Sequence, residues 1–114
     1  MRAVYPVVLA APALLAGACG AGAANPAAPA VATVTLRNIA YSPASISVKV
    51  GDTVEWVWAD GAVPHNIDGA SDLGPFDSGS VKTSGTWSFR FTKAGTFTYH
   101  CDVHPVMVGT VTVS

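Results

Sequence analysis

The sequence is poor in cysteine and in charged residues, and both shortages limit what the chain can be. It has 2 cysteines in 114 residues, and charged residues make up 11%. The 6 basic and 7 acidic side chains form no run of either sign, which excludes the basic patch expected of a nucleic-acid-binding protein. The longest apolar run, from Val4 to Leu15, is too short for a membrane span and is interrupted by Pro6 and Pro12.

The first residues have the layout of a secretory signal peptide. One positive charge at Arg2 precedes the apolar run, and small residues follow it. We predict a signal peptide at 1–24, an Ala/Pro-rich linker at 25–32 and one domain at 33–114. A small-residue triplet directly precedes Cys19, so lipoprotein-type processing is the alternative. The linker would then tether the domain to a lipid anchor. We expect a bacterial protein exported to the periplasm or to the outer face of the cytoplasmic membrane.

Cys101 is the only cysteine of the predicted domain. Exported domains of about 80 residues usually gain stability from paired cysteines, because their cores are small. A lone thiol in an oxidising compartment is a liability. A bound metal ion is the usual stabiliser where disulfides are absent, so Cys101 is a candidate metal ligand.

Hydrophobic and polar residues alternate in nearly every segment after the linker. This period of two predicts β-strands, and no window has the 3.6-residue period of a long helix. The stretch from Gly61 to Gly85 is rich in turn residues and is expected to be mostly loop. About six to eight short strands with frequent turns predict an all-β sandwich or small barrel. The residues expected to share inward faces are Val34 with Leu36, Ile46 with Val48 and Val50, Trp87 with Phe89 and Phe91, Phe97 with Tyr99 and Cys101, and Val111 with Val113.

Cys101, His104 and Met107 form a C-x2-H-x2-M motif near the C-terminus. Thiolate, imidazole and thioether are all good copper ligands, and a blue-copper site combines them with a second histidine. His100 is adjacent to Cys101, and neighbouring side chains on a strand point to opposite faces. His65 lies in an upstream loop that the fold can bring close. We therefore predict His65 as the second histidine and keep His100 as the alternative.

Three other interpretations of these residues explain less. An inert core thiol at Cys101 leaves His104 and Met107 unexplained. A nucleophilic Cys–His pair needs an oriented base and an oxyanion site, and nothing else in the sequence marks one. Structural zinc prefers closed Cys/His sets and has no use for a methionine.

Two motifs upstream of this group, and a longer stretch that includes it, lie at the same relative positions as in a known family. They are "YSPASISVKVGDTVEWVW" at 41–58, "PHN" at 64–66 and "AGTFTYHCDVHPVMVGTVTV" at 94–113. Together they resemble the cupredoxins, the small blue-copper electron carriers, over roughly 33–114. The short C-x2-H-x2-M loop is similar to that of the amicyanin branch, with plastocyanin and pseudoazurin as more distant cousins. The resemblance implies a Greek-key β-sandwich or barrel of about seven to eight strands.

The resemblance also implies a site and a function. One type 1 copper ion is expected to bind His65, Cys101, His104 and Met107. Asn66 is expected to tether the two ligand loops through its backbone and to support the thiolate by hydrogen bonding. The implied function is one-electron transfer and not catalysis. The sequence gives no sign of oligomerisation, so we expect a monomer. A copper-delivery module without electron transfer is the alternative.

The implied partners are redox proteins: a dehydrogenase, a c-type cytochrome, or a copper oxidase or reductase. The resemblance implies that the ring edge of His104 reaches the surface. An apolar docking patch is therefore expected around His104, formed by Val63, Pro64, Pro105 and Val106.

Overall fold

The computed structural model describes residues 29–69 and 76–114. The predicted signal peptide, the Cys19 lipidation site and residues 25–28 of the predicted linker lie outside these residues. The described residues contain no helix that is long and apolar enough to cross a membrane. They are built from β-strands and loops, which confirms the predicted all-β class.

Seven strands form two sheets in the described residues. We number them β1 (Ala32–Leu36), β2 (Tyr41–Ser42), β3 (Ser45–Val48), β4 (Thr53–Trp58), β5 (Thr86–Arg90), β6 (Gly95–Cys101) and β7 (His104–Val113). One sheet has the order β2-β1-β4-β5 and the other β3-β7-β6. The β1–β4 and β3–β7 pairs are parallel and the remaining pairs antiparallel. This arrangement of two sheets is the sandwich expected of a cupredoxin.

The core is formed by the inward faces that the alternating pattern predicts. Val34, Leu36, Phe97 and Tyr99 are all buried, as is Cys101. Each belongs to a strand whose polar neighbours face outward, which is the pattern of a half-buried strand. An aromatic cluster fills the space between the sheets. It contains Tyr41, Trp56, Phe76, Trp87, Phe89, Phe91, Phe97 and Tyr99.

Val50 departs from the predicted pattern. The alternation of Ile46, Val48 and Val50 predicts a common inward face, but β3 ends at Val48 and Val50 is 51% exposed. The chain turns immediately afterwards at Gly51, whose φ of 97° suits glycine far better than other residues. The turn therefore ends the strand one alternation earlier than the pattern implies.

The β6–β7 hairpin positions the C-terminal motif. Only Asp102 and Val103 separate the two strands, and Cys101 pairs with His104 across them. Because β7 already begins at His104, Met107 lies on a strand and not in a loop. Its inward phase therefore continues directly into Val111, and both side chains are buried.

Isolated bridges hold the His65 segment, and one of them attaches it to this hairpin. His65 and Lys82 exchange two backbone hydrogen bonds of 3.0 Å, which fixes the loop that follows β4. Asp68 and His100 exchange another two, of 2.9 and 3.0 Å. The loop after β4 is thereby attached to β6 beside Cys101, although it contains no long strand.

Candidate metal centre

The fold brings three of the predicted ligands together. The possible ligand atoms of His65, Cys101 and His104 all lie within 4.8 Å of one another. The Cys101 Sγ atom is 3.9 Å from Nδ1 of His65 and 3.6 Å from Nδ1 of His104. His65 and Cys101 are fully buried, whereas His104 is partly exposed.

These separations fit a metal ion in a trigonal arrangement of two imidazoles and one thiolate. Typical first-row bond lengths are about 2.0 Å to nitrogen and about 2.3 Å to sulfur. Ligands about 120° apart then place sulfur and nitrogen about 3.7 Å from each other. The two observed distances lie on either side of this value. The donors are therefore already spaced for a metal.

Met107 is buried on β7, three residues after His104 on the same strand. Thioether and thiolate sulfur are soft donors that favour copper, and the axial position of a blue-copper site takes a weak thioether ligand. The donor set thus fits copper better than zinc, which has no need of methionine.

His65 is oriented by partners on both its backbone and its ring. Its carbonyl oxygen accepts a 2.7 Å hydrogen bond from Nε1 of Trp58. Its Nε2 atom is 2.7 Å from a carboxylate oxygen of Asp60. When Nε2 donates its proton to Asp60, Nδ1 keeps a free lone pair towards Cys101. The buried imidazole is therefore held in the tautomer that a metal requires.

Asp60 is a site residue that sequence reasoning missed. Its two carboxylate oxygens accept 3.0 Å hydrogen bonds from the backbone N–H groups of Asn38 and Ile39. Both of those residues have positive φ, 56° and 53°, so their N–H groups converge on the carboxylate. The bond from Ile39, with those from His65 and Asn38, lowers the pKa of Asp60 to about 2. The carboxylate beside His65 is thus ionised at any physiological pH.

Asn66 joins the two loops that contain the predicted ligands. Its Oδ1 atom accepts a 2.9 Å hydrogen bond from the Asp102 backbone N–H. Its Nδ2 atom donates to the Asp102 carboxylate at 2.9 Å and to the Gly79 carbonyl at 3.0 Å. The expected tether was a backbone one, but these bonds are made by the side chain. The Asn66 carbonyl instead accepts a 2.6 Å bond from the Tyr41 hydroxyl.

His100 lies apart from the three grouped residues. Its side chain is 43% exposed, and its Nε2 atom is near carboxylates of Asp68 and Asp102, at 3.7 and 3.4 Å. Strand alternation explains this position, because His100 and Cys101 are neighbours on β6 and face opposite sides. The structure brings His65, and not His100, to the thiol.

The residues predicted to form a docking patch differ in exposure. Pro105 and Val106 are exposed, and Val106 is the extreme case at 86%. Val63 and Pro64 are half-buried. Val103, which was not predicted, is a further exposed apolar residue of the β6–β7 turn, at 48%.

Comparisons with known proteins agree with this geometry. A family model described as copper binding proteins, plastocyanin/azurin family, matches residues 29–114. Amicyanin from Paracoccus denitrificans is 37% identical over 83 residues, which cover 70% of this chain and 63% of the amicyanin. Amicyanin-alpha from Methylorubrum extorquens is 34% identical over 100 residues, covering 84% of this chain and 83% of that protein. The chain therefore spans slightly less than two thirds of the Paracoccus protein and more of the Methylorubrum one.

A solved structure is similar over nearly its whole length. A purple cupredoxin from Nitrosopumilus maritimus has a TM-score of 0.65 and 32% sequence identity, covering 73% of this chain and 99% of that one. The resemblance seen in the sequence motifs is thus confirmed at the level of both sequence and fold. The chain belongs to the plastocyanin/azurin family of copper-binding proteins, as an amicyanin-like cupredoxin whose cofactor is one type 1 copper ion.

Proposed function

We propose that this chain is an exported one-electron carrier whose copper ligands are His65, Cys101, His104 and Met107. The observation that carries the proposal is the placement of both Nδ1 atoms 3.6–3.9 Å from the Cys101 sulfur, with one ring buried and the other partly exposed. Copper in such a site supplies one-electron chemistry because it is stable as both Cu(II) and Cu(I). The proposed role is that of a carrier and not of an enzyme.

The protein's contribution is to keep its donors in place. Trp58 and Asp60 hold His65 from its carbonyl and its ring. The two-residue turn between β6 and β7 fixes Cys101 relative to His104. Because these contacts are independent of any metal, the donors have little freedom to rearrange between oxidation states. A small rearrangement favours rapid electron exchange.

We propose that electrons enter and leave at the His104 edge. His104 is the more exposed of the two grouped imidazoles, and the neighbouring Pro105 and Val106 are exposed and apolar. A small apolar contact suits brief docking of redox proteins, whose interfaces are at the low end of the size range. A dehydrogenase, a c-type cytochrome, or a copper oxidase or reductase are the partner classes we propose.

The copper spectrum tests the ligand assignment. The mature chain given one equivalent of Cu(II) should show a strong visible absorption band and a narrow copper hyperfine splitting. Cys101→Ser and His65→Gln should each abolish the band, whereas His100→Gln should keep it. Because one similar structure is of a purple cupredoxin, the position of the band should be recorded as well as its intensity. A colourless wild-type complex, or loss of the band in His100→Gln alone, would overturn the assignment.

A kinetic measurement tests the docking edge and the carrier role together. The reduced protein should pass its electron rapidly to a c-type cytochrome, and Val106→Lys should slow this transfer without altering the spectrum. Thr112→Lys, which adds the same charge at an exposed position elsewhere on β7, is the matched control. Transfer of copper to an apo-acceptor, with no electron transfer, would favour the copper-delivery alternative.

Export and lipid attachment are tested by the mature N-terminus. We propose that the signal peptide is removed and that the domain functions outside the cytoplasm, with lipidation of Cys19 as one route to a membrane anchor. Mass spectrometry of the protein purified from its native compartment should show either a chain that begins after the signal or one that begins with a lipid-modified Cys19. An intact Met1 on the functional protein would contradict the proposal.

A further inference from the structure

We propose that Asp68, His100 and Asp102 form a second site, which binds a divalent first-row metal ion. His100 is the one histidine of the described residues that does not join the Cys101 group. Its Nε2 atom lies 3.7 Å from Oδ2 of Asp68 and 3.4 Å from Oδ1 of Asp102. One ligand atom from each of the three side chains falls within 4.8 Å of the others.

The spacing matches one face of a metal coordination shell. Bonds of about 2.0–2.2 Å to nitrogen and oxygen place adjacent ligands about 3–3.5 Å apart in octahedral or tetrahedral sites. The 3.4 Å separation lies in this range, and the 3.7 Å separation is slightly longer. Three donors on one side leave the remaining positions open to water, because all three side chains are partly exposed. An ion bound at this site is therefore expected to exchange readily with ions in solution.

The backbone holds these side chains together before any ion binds. Asp68 and His100 face each other across a bridge with hydrogen bonds of 2.9 and 3.0 Å. Asp102 is fixed by Asn66, which binds both its backbone N–H and its carboxylate. Because the backbone around these side chains is already fixed, binding an ion orders few additional residues, and the entropic cost of binding is small.

The charge of the cluster favours a cation. Hydrogen bonding to the Asp102 carboxylate, burial, and repulsion from Asp102 and Asp77 raise the pKa of Asp68. The carboxylates of Asp68 and Asp102 are thus close enough to repel each other, and a divalent ion bound between them would relieve this repulsion. One imidazole with two carboxylates suits Zn²⁺ or Cu²⁺, whereas Ca²⁺ and Mg²⁺ prefer oxygen ligands alone.

The position of the cluster implies a link to the redox centre, and this part rests on the proposed function. His100 and Asp102 flank Cys101 in the chain, one on each side. A cation held there disfavours the additional positive charge of oxidised copper, so it should raise the reduction potential. By reciprocity, the reduced protein should bind the cation more tightly than the oxidised protein does. A tenfold preference corresponds to about 59 mV for a one-electron couple.

Zinc titration of the reduced, copper-loaded protein tests the site directly. Isothermal titration calorimetry with ZnCl₂ should show one saturable equivalent, and His100→Gln should weaken its binding by about tenfold or more, since it removes one of three ligands. Asp68→Asn should also weaken it. Glu55→Gln is the matched control, because it removes one negative charge on β4, outside the cluster. Absence of saturable binding, or an equal loss in Glu55→Gln, would overturn the proposal.

The same protein variants separate this proposal from the proposed function. The visible band of the oxidised Cu(II) form reports the Cys101 group, and the zinc isotherm of the reduced form reports the His100 cluster. A missing band with an intact His100-dependent isotherm refutes only the copper assignment. Voltammetry should show that zinc raises the potential of the wild type more than that of His100→Gln. Equal shifts in both proteins would mean general screening and would refute the link between the sites.

Discussion

Replacing Asn66 with alanine should weaken the attachment between the two ligand loops and so lower the free energy of unfolding. Asn66 is 1% exposed and makes three side-chain hydrogen bonds, two to Asp102 and one to Gly79. Two of these bonds have neutral backbone partners, the Asp102 N–H and the Gly79 carbonyl. The third goes to the Asp102 carboxylate, which is half-exposed and therefore contributes little.

The expected loss of unfolding free energy follows from the two hydrogen bonds with neutral backbone partners. A typical intramolecular hydrogen bond contributes about 1 kcal/mol net, so Asn66→Ala should lower the free energy of unfolding by about 2 kcal/mol. Asp102→Ala is the matched control. It removes the carboxylate bond but leaves the backbone N–H of residue 102 in place, and its effect should be much smaller.

Urea denaturation of the copper-free protein, followed by tryptophan fluorescence, measures both variants. A chelator should be present, so that no ion binds at the Asp68–His100–Asp102 cluster. Two results would contradict this prediction: a free energy of unfolding for Asn66→Ala within about 0.5 kcal/mol of the wild type, or an equal loss of unfolding free energy in Asp102→Ala and Asn66→Ala. The second result would assign the tether to the exposed carboxylate and not to the backbone N–H.

Three further predictions concern other parts of the fold. Asp60→Asn should weaken Cu(II) binding about 10- to 100-fold in a competition titration, because the neutral amide orients His65 less well. An unchanged affinity for Cu(II) would contradict this prediction. Gly109→Ala should lower the free energy of unfolding by about 1–3 kcal/mol, measured by urea denaturation, because a Cβ there would lie 2.7 Å from Cε2 of Tyr99. Thr98→Ala, on the exposed side of β6, is its control. Burial raises the pKa of Tyr99 from 10.0 to about 12, so its contribution to stability is complete below pH 10 and is lost as the pH rises through 12. A flat unfolding free energy over that range would show that Tyr99 ionises as freely in the folded protein as in the unfolded one.

Most of the core was predictable because it depends on strand alternation alone. Phe97, Tyr99 and Cys101 are buried as their spacing predicts, and the same spacing turns His100 outward. The pattern failed at Val50, where a turn interrupts the strand before the alternation ends. Alternation describes which face a residue occupies but does not show where the backbone stops being extended.

The partners of the grouped residues were not predictable, because they come from distant parts of the chain. Asp60 is close to His65 in sequence, yet the N–H groups that hold its carboxylate belong to Asn38 and Ile39, more than twenty residues earlier. Ile39 is not of a type that usually marks an anion-binding loop. The bonds from Asn66 to Asp102 likewise span 36 residues. Such contacts exist only after the sheets have packed.

The sequence separation of the three grouped residues also has a consequence for the order in which the site assembles. Cys101 and His104 meet as soon as the β6–β7 hairpin closes, and hairpins form in about 1–10 μs. His65 is 36 residues from Cys101 and arrives only when the loop after β4 joins β6, a non-local step with a larger entropic cost. A folding chain therefore presents a thiol and one imidazole as a half-site before the second imidazole is available. Metal present during folding meets that two-donor hairpin first.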